Sequence, residues 1–163
     1  MSEIIKVGMA DLKVVSAPDG LITMGLGSCV AVVLRDPLTK VGGMVHIMLP
    51  DSNALKNSKD TNLAKFADTG IEELIRQMEA KGARKSRMTA KLAGGATMFA
   101  VSVKKEWSMI GDRNVNACKK VLAELKIPVL AESTGGTYGR TVTFYPETGE
   151  YHVKAVGKEL QII

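Results

Sequence analysis

Seven short runs of β-branched or alternating apolar residues, at 12–16, 30–34, 41–49, 88–92, 129–133, 140–145 and 151–156, dominate this chain. Turn signals separate them, among them Pro18-Asp19-Gly20, Gly94-Gly95, Gly135-Gly136 and Pro146-Glu147-Thr148-Gly149. Strands of this length joined by short turns pair antiparallel, because a parallel pair needs a crossover of a dozen residues or more. Helical spacing occurs twice. Leu63, Phe66, Ala67, Ile71, Leu74, Ile75 and Met78 recur at three- and four-residue intervals, after Asp60 or Thr61 as N-cap and before Gly82 as C-cap. Val115, Cys118, Val121, Leu122 and Leu125 form a second stripe after Gly111-Asp112 that stops before Pro128. The expected class is α+β: a largely antiparallel sheet core with two amphipathic helices packed outside.

A chain of 163 residues without internal repeats, low-complexity tracts or linker-like composition is read as one domain over 1–163. A domain of that size buries roughly 70% of the surface its unfolded form exposes. The N-terminal Met1-Ser2-Glu3-Ile4-Ile5-Lys6 has no basic and then apolar leader pattern, and no apolar run approaches the roughly 20 residues of a bilayer span. A cytoplasmic protein without membrane insertion is expected. In that reducing compartment Cys29 and Cys118 are read as free thiols.

The net charge of +5 comes from dispersed lysines and arginines, and with three Tyr, three Phe and one Trp no basic stretch interleaves with aromatics. That pattern disfavours nucleic acid and fits an acidic macromolecular partner better. His46 and His152 are the only histidines, and no H-E-x-x-H or C-x-x-C spacing exists, so a metal site has few ligands to draw on and none is expected. Gly25 and Gly27 do not open a dinucleotide fingerprint, because Val30 stands at the third glycine and a β-branched run follows.

The chemistry-bearing residues gather around Gly25-Leu26-Gly27-Ser28-Cys29. Cys29 and His46 are equidistant from the midpoint of Asp36-Pro37-Leu38-Thr39, so a type I turn there places the thiol directly opposite the imidazole. A bulge at Lys40 would shift that register. Directly opposed residues have Cβ atoms about 4.5–5.5 Å apart, within reach for a nucleophile and its base. An imidazolium at that range lowers a thiol pKa from about 8.5 to below 7. Glycines at 25 and 27 and Ser28 would turn backbone N–H groups toward an oxyanion. Taken singly, the cysteine is an ordinary small buried hydrophobe and the glycines an ordinary turn. Thr23 is one candidate for a third group that orients the imidazole; Asp36 is the carboxylate alternative, at the hairpin tip. His152 reads as a structural strand residue and Cys118 as core. The polar stretch 49–61, just after His46, is a candidate lid.

Thr23-Met24-Gly25-Leu26-Gly27-Ser28-Cys29-Val30 and Gly42-Gly43-Met44-Val45-His46-Ile47-Met48-Leu49-Pro50 together resemble the signature of the chemoreceptor glutamine deamidases, the CheD family. The likeness continues through Ala90-Lys91-Leu92-Ala93-Gly94-Gly95-Ala96-Thr97-Met98-Phe99, Ile110-Gly111-Asp112-Arg113-Asn114 and Gly135-Gly136-Thr137-Tyr138-Gly139-Arg140. The resemblance implies a layered α/β structure on a β-sandwich-like core, related to the catalytic domains of deamidating toxins. It implies Cys29 as nucleophile, His46 as general base and acid, and Thr23 as the residue that holds the imidazole. The implied reaction converts glutamine to glutamate on methyl-accepting chemoreceptors, without a cofactor, and the implied further partner is a CheC-type phosphatase. The alternative is a binding module that regulates receptor or phosphatase without turnover. A cysteine peptidase or transglutaminase-like acyl transferase would share the chemistry but not the motifs.

Overall fold

The computed structural model describes residues 2–55, 61–98 and 109–163. Ten strands among these residues form two five-stranded sheets. The first sheet contains β1 (Ile4–Lys6), β3 (Gly20–Leu26), β8 (Arg140–Tyr145), β9 (Glu150–Lys154) and β10 (Gln161–Ile162), in that order. The second runs β2 (Leu12–Ser16), β5 (Val41–Ile47), β4 (Val30–Asp36), β6 (Thr89–Gly94) and β7 (Val129–Thr134). Only the β1–β3 and β6–β7 pairs are parallel; the remaining pairs are antiparallel. Two α-helices among the described residues, α1 (Ala67–Ala80) and α2 (Ile110–Glu124), complete an α+β arrangement of three layers, as expected.

Alternation along β4 and β5 builds the layers. Val30, Val32, Leu34, Val45 and Ile47 point to the helices and pack with Ile71, Leu74, Met78, Cys118 and Leu122. Ala31, Val33 and Met44 point the other way, into a second core with Leu21, Leu26, Val142, Phe144 and Tyr151 of the first sheet. Successive strand residues alternate faces, so a central strand buried on both sides reads as a continuous apolar run. Helix α1 lies flush on β5 at Gly43, where a Cβ would stand 2.6 Å from Leu74 Cδ1. Gly82, at φ +100, ends that helix, and the N–H of Ala83 returns to Met78 O at 3.1 Å.

The structure differs from the sequence reading in several places. The β4–β5 loop is Pro37-Leu38-Thr39-Lys40, closed by the pair Asp36↔Val41 rather than Asp36 and Thr39. Lys40 takes a left-handed φ of +56, and its N–H donates to Asp36 O at 2.8 Å. Two more residues therefore enter the loop, and His46 faces Ala31 rather than Cys29. A change of two keeps both side chains on their face, because the strand period is two. Asp36 is not a tip residue in solvent: it is fully buried and paired with Arg87 at 2.7 Å. Strands β1, β3 and β10 were not anticipated, and Gly25 belongs to β3 rather than to a turn after it. Helix α1 begins at Ala67, after a 3-10 turn Leu63–Lys65 whose cap is Asn62; Asp60 lies outside the described residues. Helix α2 begins one residue before Gly111. Gly111 is buried at a crossing where a Cβ would meet Ala96 O at 2.5 Å.

Candidate active site

Thr23 and His46 face each other across the layer between the two sheets, 1% exposed each. Thr23 faces inward on β3 opposite Val142. Beyond it the register with β8 shifts by one, in a bulge at Met24-Gly25 where Gly25 has φ +71. The bulge lets both Thr23 and Leu26 point into the core, which unbroken alternation forbids for residues three apart.

The hydroxyl of Thr23 donates to Val7 O at 2.7 Å and lies 2.9 Å from His46 Nδ1. A hydroxyl has one proton to give, and Val7 O takes it. The 2.9 Å contact therefore runs the other way, from Nδ1–H to the Thr23 oxygen. That fixes the tautomer and leaves Nε2 with its lone pair free; Nε2 is buried and has no hydrogen-bond partner among the described residues. Burial lowers the His46 pKa from its ordinary value, so the imidazole is neutral at pH 7.

Cys29 directly precedes β4, two residues before Ala31, the partner of His46. It shares the inner face with Ala31, Val33 and Met44 and is 9% exposed. Thiol and imidazole are thus diagonal neighbours on one face, a relation in which Cβ atoms are up to about 7–8 Å apart. Burial raises the Cys29 pKa, and the opposing pull of its own backbone N–H is smaller. The resting pair is accordingly a neutral thiol and a neutral imidazole, not the thiolate–imidazolium pair expected from direct opposition.

The segment before Cys29 is held by its carbonyls. Ala96 N donates to Gly27 O at 2.9 Å and Gly95 N to Cys29 O at 2.8 Å. Asn114, fully buried on α2, donates from Nδ2 to Ser28 O at 2.9 Å and to Met48 O at 3.0 Å. The β4–β5 ladder ends at Val30↔Ile47, and this side-chain amide bridges the next two carbonyls. The carbonyls of Gly27, Ser28 and Cys29 are thus all held, and among the described residues neither the Ser28 nor the Cys29 N–H donates to a backbone carbonyl. Gly94 fits here only without a side chain: a Cβ would stand 2.1 Å from Cys29 O.

Of the residues singled out in the sequence, Thr23, Cys29 and His46 meet in one layer, and Gly27 and Ser28 form the approach to Cys29. Gly25 has a different task, as the bulge residue of β3. His152 is half-buried, 3.2 Å from Glu150 and edge-on to Tyr145, and Cys118 is core. Two contributors escaped the sequence reading. Val7 O carries no side-chain signal, and Asn114, in the family motif Ile110-Gly111-Asp112-Arg113-Asn114, reads from the sequence only as scaffold or site-lining. Residues 56–60 of the candidate lid lie outside the described residues; before them Ser52 is tied to Asp68 through N at 3.0 Å and Oγ at 2.7 Å.

A family model described as CheD chemotactic sensory transduction matches residues 48–155. A protein named "Probable chemoreceptor glutamine deamidase CheD" from Lachnoclostridium phytofermentans is 55% identical over 97% of this chain and 97% of its own length. The chain belongs to the CheD family. Another CheD of that name, from Caldanaerobacter subterraneus subsp. tengcongensis, is 54% identical over 99% of each chain. The "Chemoreceptor glutamine deamidase CheD" of Halalkalibacterium halodurans is 51% identical over 96% of each chain. The CheD family match starts after His46, whereas the alignments with these relatives extend over nearly the whole chain. No described helix is long and apolar enough to cross a membrane.

Proposed function

We propose that this protein is a protein-glutamine glutaminase that hydrolyses glutamine side-chain amides of chemoreceptors to glutamate, using Cys29, His46 and Thr23. The observation that carries the mechanism is the unpartnered Nε2 of His46, held in its tautomer by Thr23 on the face it shares with Cys29. The substrate class rests on the names of relatives about half identical over nearly the full chain.

Nε2 takes the thiol proton as Sγ attacks the carboxamide carbon of glutamine. Charge develops on the carboxamide oxygen, where donation from the N–H groups of Ser28 and Cys29 would stabilise it. The imidazolium returns the proton to the amide nitrogen, the C–N bond breaks and ammonia leaves, with a thioester on Cys29. Water, deprotonated by Nε2, attacks the thioester; glutamate departs and the thiol recovers its proton. Thr23 accepts from Nδ1–H throughout and keeps the ring from rotating. No step calls for a cofactor.

The same reading places the protein in the cytoplasm as one domain, with receptor helices as substrate and a CheC-type phosphatase as a second partner. Mass spectrometry of a chemoreceptor cytoplasmic fragment tests it. Conversion of defined glutamines to glutamates by the wild type, and not by Cys29→Ala, is the expected result. An unchanged fragment that still co-elutes with the protein would move the function to binding without turnover.

A further inference from the structure

Arg140 is 3% exposed, yet no carboxylate lies within ion-pair distance of it among the described residues. Its hydrogen bonds are two long ones, each 3.4 Å, to Gly94 O and to the Tyr138 hydroxyl. Its Nε is buried without a partner. The other guanidinium serving a buried group behaves differently: Arg87 reaches the Asp36 carboxylate with contacts of 2.7, 3.0 and 3.1 Å. A buried charge left without a counter-charge is costly, so its retention points to a counter-charge that arrives with a ligand.

The surroundings of Arg140 favour an anion. Its Cζ lies 4.5 Å from the centre of the Tyr138 ring, and Lys158 Nζ lies 4.4 Å from the same centre. Arg140 lines a groove of about 290 Å³ with Gly25, Tyr138, Lys154 and Val156, and none of its lining residues is acidic. Glu159 lines the next groove, beyond Tyr138. The groove adjoins the candidate active site twice. Gly25 is the bulge that follows Thr23, and Gly94, which accepts from Arg140, backs directly onto Cys29 O.

We propose that this groove binds a carboxylate side chain of the protein substrate, near the glutamine presented to Cys29, with Arg140 and Lys154 as its cationic partners. A planar carboxylate matches the donor fork of a guanidinium, and the partly exposed Tyr138 ring holds the Arg140 guanidinium in place. The proposal deepens the glutaminase reading and rests on it for the nature of the substrate. It makes the acidic neighbour of a glutamine, rather than the glutamine alone, the recognised feature.

The test separates binding from turnover. Two fluorescein-labelled helical peptides, each with one central glutamine, carry either glutamates or alanines at the flanking positions, and their affinities for the Cys29→Ala protein are measured by anisotropy. The acidic peptide is expected to bind about tenfold tighter, with a gap that shrinks as salt rises. Arg140→Gln should erase the gap. Should that variant unfold, Lys154→Glu, on an exposed residue, should reduce it instead. Equal affinities for both peptides, or a gap that survives both substitutions, would overturn the proposal. Acidic preference without deamidation of either peptide by the wild type would sink the glutaminase reading and leave the groove standing; deamidation of both without preference would do the reverse.

Discussion

The Thr23 hydroxyl of one sheet accepts the Nδ1–H of His46 from the other, and this contact fixes which nitrogen of His46 is free. Neither residue could do so within its own sheet. Thr23 is turned inward ahead of a bulge, and its proton is drawn off by Val7 O just beyond the N-terminal strand.

Replacing Thr23 by Val removes the acceptor while keeping the shape. Nδ1 then loses its partner and the imidazole is free to flip, so kcat should fall by about a hundredfold, while Thr23→Ser should retain most activity. Val7 O is left unsatisfied as well, at a cost of about 1–3 kcal/mol. Nitrogen chemical shifts of His46 check the cause: a single Nδ1–H tautomer in wild type and a mixture in Thr23→Val. A single tautomer in both would show that Thr23 does not set it.

The direction of both pKa shifts predicts the pH behaviour of the pair. Burial holds the Cys29 thiol above its ordinary value, so alkylation by iodoacetamide should climb with pH beyond about 8.5, with no plateau near 6.5. Cys118, fully buried and pushed up to about 12, should react far more slowly throughout. Burial lowers His46, so the acid limb of turnover should lie below the ordinary imidazole value of about 6.5. The stability effect has a definite sign. The unfolded chain binds this proton more readily, so the contribution of His46 is intact above about pH 6.5 and is lost as pH falls toward its folded pKa. A fast, pH-independent alkylation of Cys29 between pH 5 and 7 would contradict the neutral pair.

How much of this was legible beforehand depended on whether the signal sat in side-chain pattern or in backbone. The ranges of β2 and β8 follow from alternation alone, and β4 to β7 are displaced from their runs by only a residue or two at either end. Strand β3 was hidden because Gly25 reads as a turn, although a bulge puts the same residue inside a strand. The diagonal placement of Cys29 was missed because Lys40, a non-glycine residue in left-handed backbone, lengthened the loop unannounced. Parity saved the site: a loop longer by two residues leaves thiol and imidazole on one face. Val7 O could not have been found, since a carbonyl acceptor has no sequence signature, and the unpaired state of Arg140 shows only once its neighbours are placed.

Asp36 gives a second pH-dependent prediction, on stability alone. Its carboxylate accepts from Arg87, from Arg84 N at 2.9 Å and from Leu38 N at 2.9 Å. The Arg87 hydrogen bonds, aided by these N–H groups, hold its pKa well below the usual carboxylate range against the cost of burial. A depressed folded pKa means that this stabilisation is complete above the unfolded value of about 3.9 and is lost as pH falls below it. Asp36→Asn should cost about 3 kcal/mol at pH 7 in urea unfolding, and roughly 1 kcal/mol less at pH 3, where the loss has only begun. An equal cost at both values would show that the charge is not what matters.

Asn114 supplies the prediction that separates holding the nucleophile from merely folding. Its amide donates to Ser28 O and Met48 O, the carbonyls just beyond the last β4–β5 pair, and so sets how far the Cys29 end stands from the strand that carries His46. Asn114→Ala leaves two buried carbonyls unpaired, each at about 1–3 kcal/mol before relaxation. The segment then swings on the two bonds from Gly95 and Ala96. Displacement of a reacting atom by about 1 Å costs on the order of a hundredfold in rate. The expected outcome is a lower kcat with KM nearly unchanged, because the groove beside Arg140 lies on the other sheet and is not touched. Asn114→Asp should be worse than alanine, since a carboxylate faces two carbonyl oxygens with no proton to offer. If alanine and aspartate both lower thermal stability but keep wild-type kcat in the folded fraction, Asn114 is a structural bridge and the position of Cys29 is set elsewhere.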